Sequence, residues 1–144
     1  MKVRLQEDTA ARTAGNPRPR IVIADDNPGS LHQICDLVET RFEIVARATN
    51  GLECVDAVQR LSPSVVVTDI SMPKMNGIEA TRLIRKKQPD VKVVILSGHD
   101  DPVFIETAID AGASAYVVKL FAFQDLIPAI EEVVAGRSFL PAFR

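Results

Sequence analysis

Short apolar runs alternate with amphipathic stretches along this chain, and the alternation repeats five times. The runs are Ile21–Ala24, Phe42–Ala46, Val65–Thr68, Val91–Leu96 and Ala115–Val118. Most are apolar without a break, as strands buried on both faces of a parallel sheet are. Phe42–Ala46 alternates instead and reads as an edge strand. The intervening stretches carry helical spacing. Leu31, Ile34, Cys35 and Val38 fall at i, i+3, i+4 and i+7, predicting a helix to about Thr40. Further helices are predicted over about Leu52–Leu61, Ile78–Lys87, Pro102–Ala111 and Phe123–Ala135. Asn27-Pro28 is a helix start, and Ser62-Pro63, Pro89, Gly112 and Gly136 are stops. Five such β–α units predict an α/β fold with right-handed crossovers: one five-stranded, doubly wound parallel sheet with five helices on its two faces.

Three segments are expected: a disordered leader over residues 1–19, one domain over 20–136 and a short tail over 137–144. With 144 residues, 47% hydrophobic and 25% charged, the chain has enough apolar material for one core. A net charge of −2 offers no basic surface for nucleic acid or an anionic membrane. No apolar run reaches the roughly 18 residues of a spanning helix, and no signal peptide is evident, so a cytoplasmic protein is expected. Cys35 and Cys54 match no zinc or redox motif and read as small core residues.

The strand ends change the picture. The first ends in Asp25-Asp26, the third in Asp69, the fourth in Ser97 and the fifth in Lys119. A strand buried on both faces has no structural need for a charged last residue. In a sheet of order 2-1-3-4-5, the first and third strands meet where the order reverses, and Asp25, Asp26 and Asp69 would converge there. Three neighbouring carboxylates repel each other, and an oxygen-preferring divalent cation such as magnesium relieves the repulsion while leaving room for phosphate. Lys119 supplies a compact positive charge for a phosphoryl oxygen, and Ser97 a neutral donor. Together these parts suggest phosphoryl transfer onto a carboxylate, with Asp69 the best nucleophile.

The segments IVIADD, VVVTDISMPKMNG, VVILSGHDD and GASAYVVK, in this order and spacing, resemble the receiver domain of two-component response regulators. The resemblance covers about residues 20–136 and implies the chemotaxis-receiver, flavodoxin-like fold. It implies that Asp69 accepts the phosphoryl group, self-catalysed rather than by a turnover enzyme. It implies Mg2+ (or Mn2+) held directly by Asp26 and Asp69, by Asp25 through water, and by the Ser71 carbonyl. Ser97 and Lys119 would bind the phosphoryl group, Tyr116 would switch with Ser97, and Ser71 and His99 would tune dephosphorylation. A histidine kinase or phosphotransfer protein would be the donor. A downstream protein or a second copy would read the face of helix 4, strand 5 and helix 5, with no direct nucleic-acid or membrane contact. LSGHDD and AGRSFLP are similar to the branch that usually carries a C-terminal helix-turn-helix. The chain stops at Arg144 before any such helix, so a stand-alone receiver, or one lacking its output domain, is expected. Leu120 follows the lysine where most receivers have a cis proline, so no cis bond is expected there. The fold order also puts Cys35 and Cys54 on opposite sides of the sheet, without a disulfide.

Three other readings fit less well. A haloacid-dehalogenase-like phosphatase wants an acid two residues after its nucleophile, where this chain has Ser71. A flavin- or nucleotide-binding domain wants amide donors after the first strand, where Asp25-Asp26 would repel an anion. A receiver-shaped scaffold that is never phosphorylated would not need all the site residues present here.

Overall fold

In a computed structural model that describes residues 18–141, the five apolar runs form five parallel strands. The elements are β1 Arg20–Ala24, α1 Pro28–Val38, β2 Glu43–Ala48, α2 Gly51–Leu61, β3 Val65–Thr68, α3 Gly77–Lys87, β4 Lys92–Ser97, α4 Pro102–Asp110, β5 Ala115–Val118 and α5 Ala122–Val134. The sheet order is β2-β1-β3-β4-β5, the expected doubly wound order 2-1-3-4-5. The leader predicted over residues 1–19 lies outside the described residues except for Arg18 and Pro19.

Helix starts follow local side-chain chemistry. Asn27, Asn50, Asn76 and Asp101 cap α1 to α4, each accepting a backbone N–H from the first turn. Asn76 and Glu79 complete a reciprocal capping box on α3. Two boundaries differ from the pattern in the sequence. β2 runs on to Ala48, because its pairing with β1 continues to Ala24 and the Asp25 N–H donates to the Ala48 carbonyl. A single 3-10 turn, Lys119–Phe121, joins β5 to α5.

Alternate residues of each strand feed two cores. Ile21, Ile23, Val65, Val67, Val94 and Leu96 face Val38 of α1 and Leu126, Ile130 and Val133 of α5. Val22, Val66, Val93, Ile95 and Tyr116 face Val58 of α2, Ile84 of α3 and Ile105 of α4. Each fully buried aliphatic side chain contributes about 1.5–3 kcal/mol. Cys35 belongs to the first core and Cys54 to the second, both as free thiols, so the sheet separates them as expected.

Gly136, at φ +87°, turns the chain out of α5. Phe139, within the stretch read as a tail, then lies along β5. The Tyr116 N–H donates to its carbonyl at 2.9 Å, and its own N–H donates to the Ser114 carbonyl at 3.3 Å. An edge strand leaves such groups unpaired, and Phe139 satisfies them. No cis peptide occurs among the described residues, and no helix there is long and apolar enough to cross a membrane.

Candidate functional site

The pairing of β1 with β3 sets the site. Ala24 is in register with Thr68, so the next residues, Asp25 and Asp69, leave the sheet side by side at the point where strand order reverses. Ser97 is in register with Val118, which brings Lys119 to the same edge. The Lys119 ammonium bridges the two acids: Nζ lies 2.7 Å from Asp25 Oδ2 and 2.9 Å from Asp69 Oδ2. Asp25 is 1% exposed and the Asp69 side chain 12%, so this is a largely desolvated ion triad. Asp26 stands in solvent beside them.

The carboxylates are aimed by local hydrogen bonds. The Asn27 N–H donates to Asp25 Oδ1 at 2.9 Å, and the Ser30 hydroxyl donates to Oδ2 at 2.8 Å. The Ile70 N–H donates to Asp69 Oδ1 at 2.7 Å. Burial works against the Lys119 charge, but hydrogen bonds and the charges of Asp25 and Asp69 outweigh it and hold its pKa above the ordinary lysine value. Lys119 is therefore a fixed cation at neutral pH.

Among the described residues, Asp25, Asp26 and Asp69 form a group able to hold a metal: each offers a carboxylate oxygen, and these oxygens lie within 4.8 Å of one another. An all-oxygen donor set with one member in water suits a hard divalent cation that keeps some of its hydration. The loop after Asp69 is braced twice. The Gly77 N–H donates to the Ile70 carbonyl at 2.8 Å, and the Gly51 N–H donates to the Met75 carbonyl at 2.9 Å. A Cβ on Gly77 would overlap the Asp69 carbonyl oxygen, so only glycine lets α3 approach this closely.

The remaining predicted residues line the other side. Ser97 is fully buried, and its Oγ accepts the His99 N–H at 3.1 Å. Tyr116 is fully buried too, and its hydroxyl donates to the His99 carbonyl at 2.6 Å. Burial pushes the Tyr116 pKa up, partly offset by hydrogen bonding with Ser97. Ser71 is exposed, and its Oγ lies 3.4 Å from His99 Nε2. All eight residues singled out in the sequence thus gather at one sheet edge. Ser30 was not among them, because a serine in a helix's first turn is ordinary.

By fold and site, then, the chain is a doubly wound α/β domain with an acidic, lysine-bridged pocket at its switch point. The model of the response regulator receiver domain family matches residues 21–131, and the chain belongs to that family. It is 37% identical over 123 residues to the transcriptional regulatory protein DegU of Brevibacillus brevis, covering 84% of this chain and 52% of DegU. It is 34% identical over 115 residues to the chemotaxis protein CheY of Thermotoga maritima, covering 79% of this chain and 96% of CheY. A crystal structure of a LuxR-family two-component response regulator from Aurantimonas sp. SI85-9A1 superposes with a TM-score of 0.82 at 35% identity, covering 85% of this chain and 89% of that one. The chain thus spans about half the length of regulators such as DegU and nearly all of CheY.

Proposed function

We propose that the chain is a phosphorylation-controlled switch of a two-component pathway, with a receiver domain over residues 20–136 and Asp69 as its phosphoryl acceptor. The observation that carries this reading is the Lys119 ammonium shared between the buried Asp25 and Asp69 carboxylates. A surface ion pair needs no such burial, and a purely structural one needs no second acid.

In the proposed reaction, an Asp69 carboxylate oxygen attacks phosphorus in the phosphohistidine of a kinase or phosphotransfer protein. The O–P bond forms as the P–N bond breaks, and the bonding pair stays on the imidazole nitrogen, which takes a proton from water. Lys119 exchanges one carboxylate oxygen for a phosphoryl oxygen and neutralises the charge that develops there. The Ser97 hydroxyl donates to a second phosphoryl oxygen. Magnesium (or manganese) would be held directly by Asp26, Asp69 and the Ser71 carbonyl and by Asp25 through water, and would supply the positive charge that offsets carboxylate repulsion. Movement of Ser97 toward the phosphoryl group releases its contact with the His99 N–H and changes the surroundings of Tyr116. The signal then reaches the face formed by α4, β5 and α5, where a downstream protein or a second copy would bind. The exposed side chains of Val103, Phe104 and Ile109 on α4 support that role for the face.

The test is incubation of the chain with Mg2+ and a small phosphodonor, followed by intact mass. One phosphoryl increment is expected on the native chain, and none on Asp69→Ala or after chelation. No increment on the native chain contradicts the proposal.

A further inference from the structure

Phe104 is large, 36% exposed and absent from both cores, yet its ring is held in one place. It lies in the first turn of α4, and its N–H donates to the carbonyl of the capping residue Asp101 at 3.0 Å. Its ring stacks on that of His99, with centroids 4.1 Å apart and planes 14° from parallel.

His99 is itself pinned through its backbone. Its N–H donates to Ser97 Oγ and its carbonyl accepts the Tyr116 hydroxyl. Those bonds place the backbone but leave the imidazole free to turn about its own side-chain torsions. The ring is located by two contacts, the Phe104 face and the Ser71 hydroxyl at 3.4 Å. Of these, the Ser71 contact is long and weak for a hydrogen bond. The near-parallel stack on Phe104, with the rings in close contact, is the firmer restraint. The ring so placed lies beside Ser71, two residues after Asp69.

We propose that Phe104 is a positioning residue: by stacking on His99 it holds the imidazole across from Ser71 and thereby sets how fast water removes a phosphoryl group from Asp69. This rests on Asp69 being the acceptor. In that hydrolysis a water oxygen bonds to phosphorus as the Asp69 O–P bond breaks. The carboxylate leaves with the electron pair, and the water's proton goes to solvent with inorganic phosphate as product. The attacking water must approach phosphorus on the side away from Asp69, past His99 and Ser71. A ring fixed on Phe104 narrows that approach, and a ring set loose opens it. The α4 surface and the lifetime of the phosphoryl group are then coupled through one aromatic contact.

The test uses the full chain, loaded with Mg2+ and acetyl phosphate, freed of donor, and followed by intact mass over time. Phe104→Ala is expected to shorten the phosphoryl lifetime about twofold to twelvefold, the span to which the energy of an aromatic stack converts. Phe104→Tyr, which keeps the stack, should restore the native lifetime. In a His99→Ala background, Phe104→Ala should have no further effect. A native lifetime in Phe104→Ala would overturn the proposal, as would equal shortening in the His99→Ala background or failure of Phe104→Tyr to restore it. Should Phe104→Ala fail to fold, Phe104→Leu, which keeps the bulk without the ring, is expected to behave as the alanine variant would. Should the native chain take no phosphoryl group, the assignment of Asp69 falls and the lifetime claim falls with it. The positioning claim is still decided by the His99 ring-proton shifts in NMR. Loss of the Phe104 ring current in Phe104→Leu should move them, and unchanged shifts would overturn it.

Discussion

The two ends of the sheet use charge differently. At the amino end of the strands, three arginines bond backbone carbonyls, and the ion pairs there, Arg41–Glu131 and Arg137–Glu132, stand largely in solvent. Arg20 Nη1 donates to the Leu61 and Ser62 carbonyls at 2.7 and 3.2 Å, where α2 ends. Arg18 donates to the Glu39 and Arg41 carbonyls beyond α1, and Arg85 to those of Pro89 and Val91 ahead of β4. Helix ends leave carbonyls without intrahelical partners; Arg20 satisfies those of Leu61 and Ser62 and Arg18 that of Glu39, while Arg85 ties down the loop between α3 and β4. At the carboxyl end, Lys119 bonds only to other charges, two acids withdrawn from water. Burying ions costs free energy that hydrophobic side chains of similar size would not, so an ion triad there is poor evidence of a stabilising role. The contrast separates charge that completes the fold from charge the fold is made to carry.

Four substitutions break or sharpen that contrast. The largest effect is expected from Lys119→Met, which leaves two buried carboxylates facing each other with no cation. A loss of about 2–3 kcal/mol is expected in urea unfolding near neutral pH, at or below the usual range for a broken buried pair because the Lys119 side chain remains 27% exposed. The pH dependence has a definite sign. The folded pKa of Lys119 is raised, so its contribution is complete below the ordinary lysine value of 10.5 and is lost as pH rises through the raised value. On the alkaline side of neutrality the stability gap between native chain and variant should therefore hold until strong alkali and close there.

Next is Gly77→Ala. The added Cβ meets the Asp69 backbone carbonyl, which cannot yield as a flexible side chain would. About 1–3 kcal/mol of stability should be lost. Phosphoryl acceptance should fall too, because the part displaced carries Asp69. Arg20→Met, at the other end, should cost about 1 kcal/mol through its lost carbonyl bonds and leave phosphoryl acceptance unchanged. A defect in acceptance in that variant would break the division between the two ends. The smallest stability effect is expected for Asp26→Asn, within about 0.5 kcal/mol, because Asp26 is exposed. Its affinity for Mg2+ or Mn2+, followed by titration, should nonetheless weaken by about tenfold or more.

The fold is legible in the sequence because five apolar runs with helical stretches between them admit few arrangements. The pattern fails where pairing rather than hydrophobicity extends an element. Arg47 and Ala48 belong to β2 because β1 continues alongside them. Phe139 opens a short apolar run with Leu140 and Pro141 that has neither strand nor helix period, and nothing local predicts that it would close the β5 edge. At the site, Asp25, Asp69 and Lys119 are legible because a charge that ends a buried run is anomalous. Ser30 and Phe104 are not, because each occupies the first turn of a helix, where its residue type is unremarkable. Their importance comes from what the tertiary fold sets beside them, Asp25 in one case and His99 in the other.

The central claim, that Asp69 is the residue the carboxyl edge is built to modify, is tested most directly by locating the label. The chain would be loaded with Mg2+ and acetyl phosphate, reduced with borohydride to convert any acyl phosphate to an alcohol, digested, and sequenced by mass spectrometry. Reduction confined to Asp69, and abolished by omitting the phosphodonor, is the predicted result. A label that resists borohydride and maps to a hydroxyl such as that of Ser97, or one that maps to Asp25 or Asp26, would contradict the account.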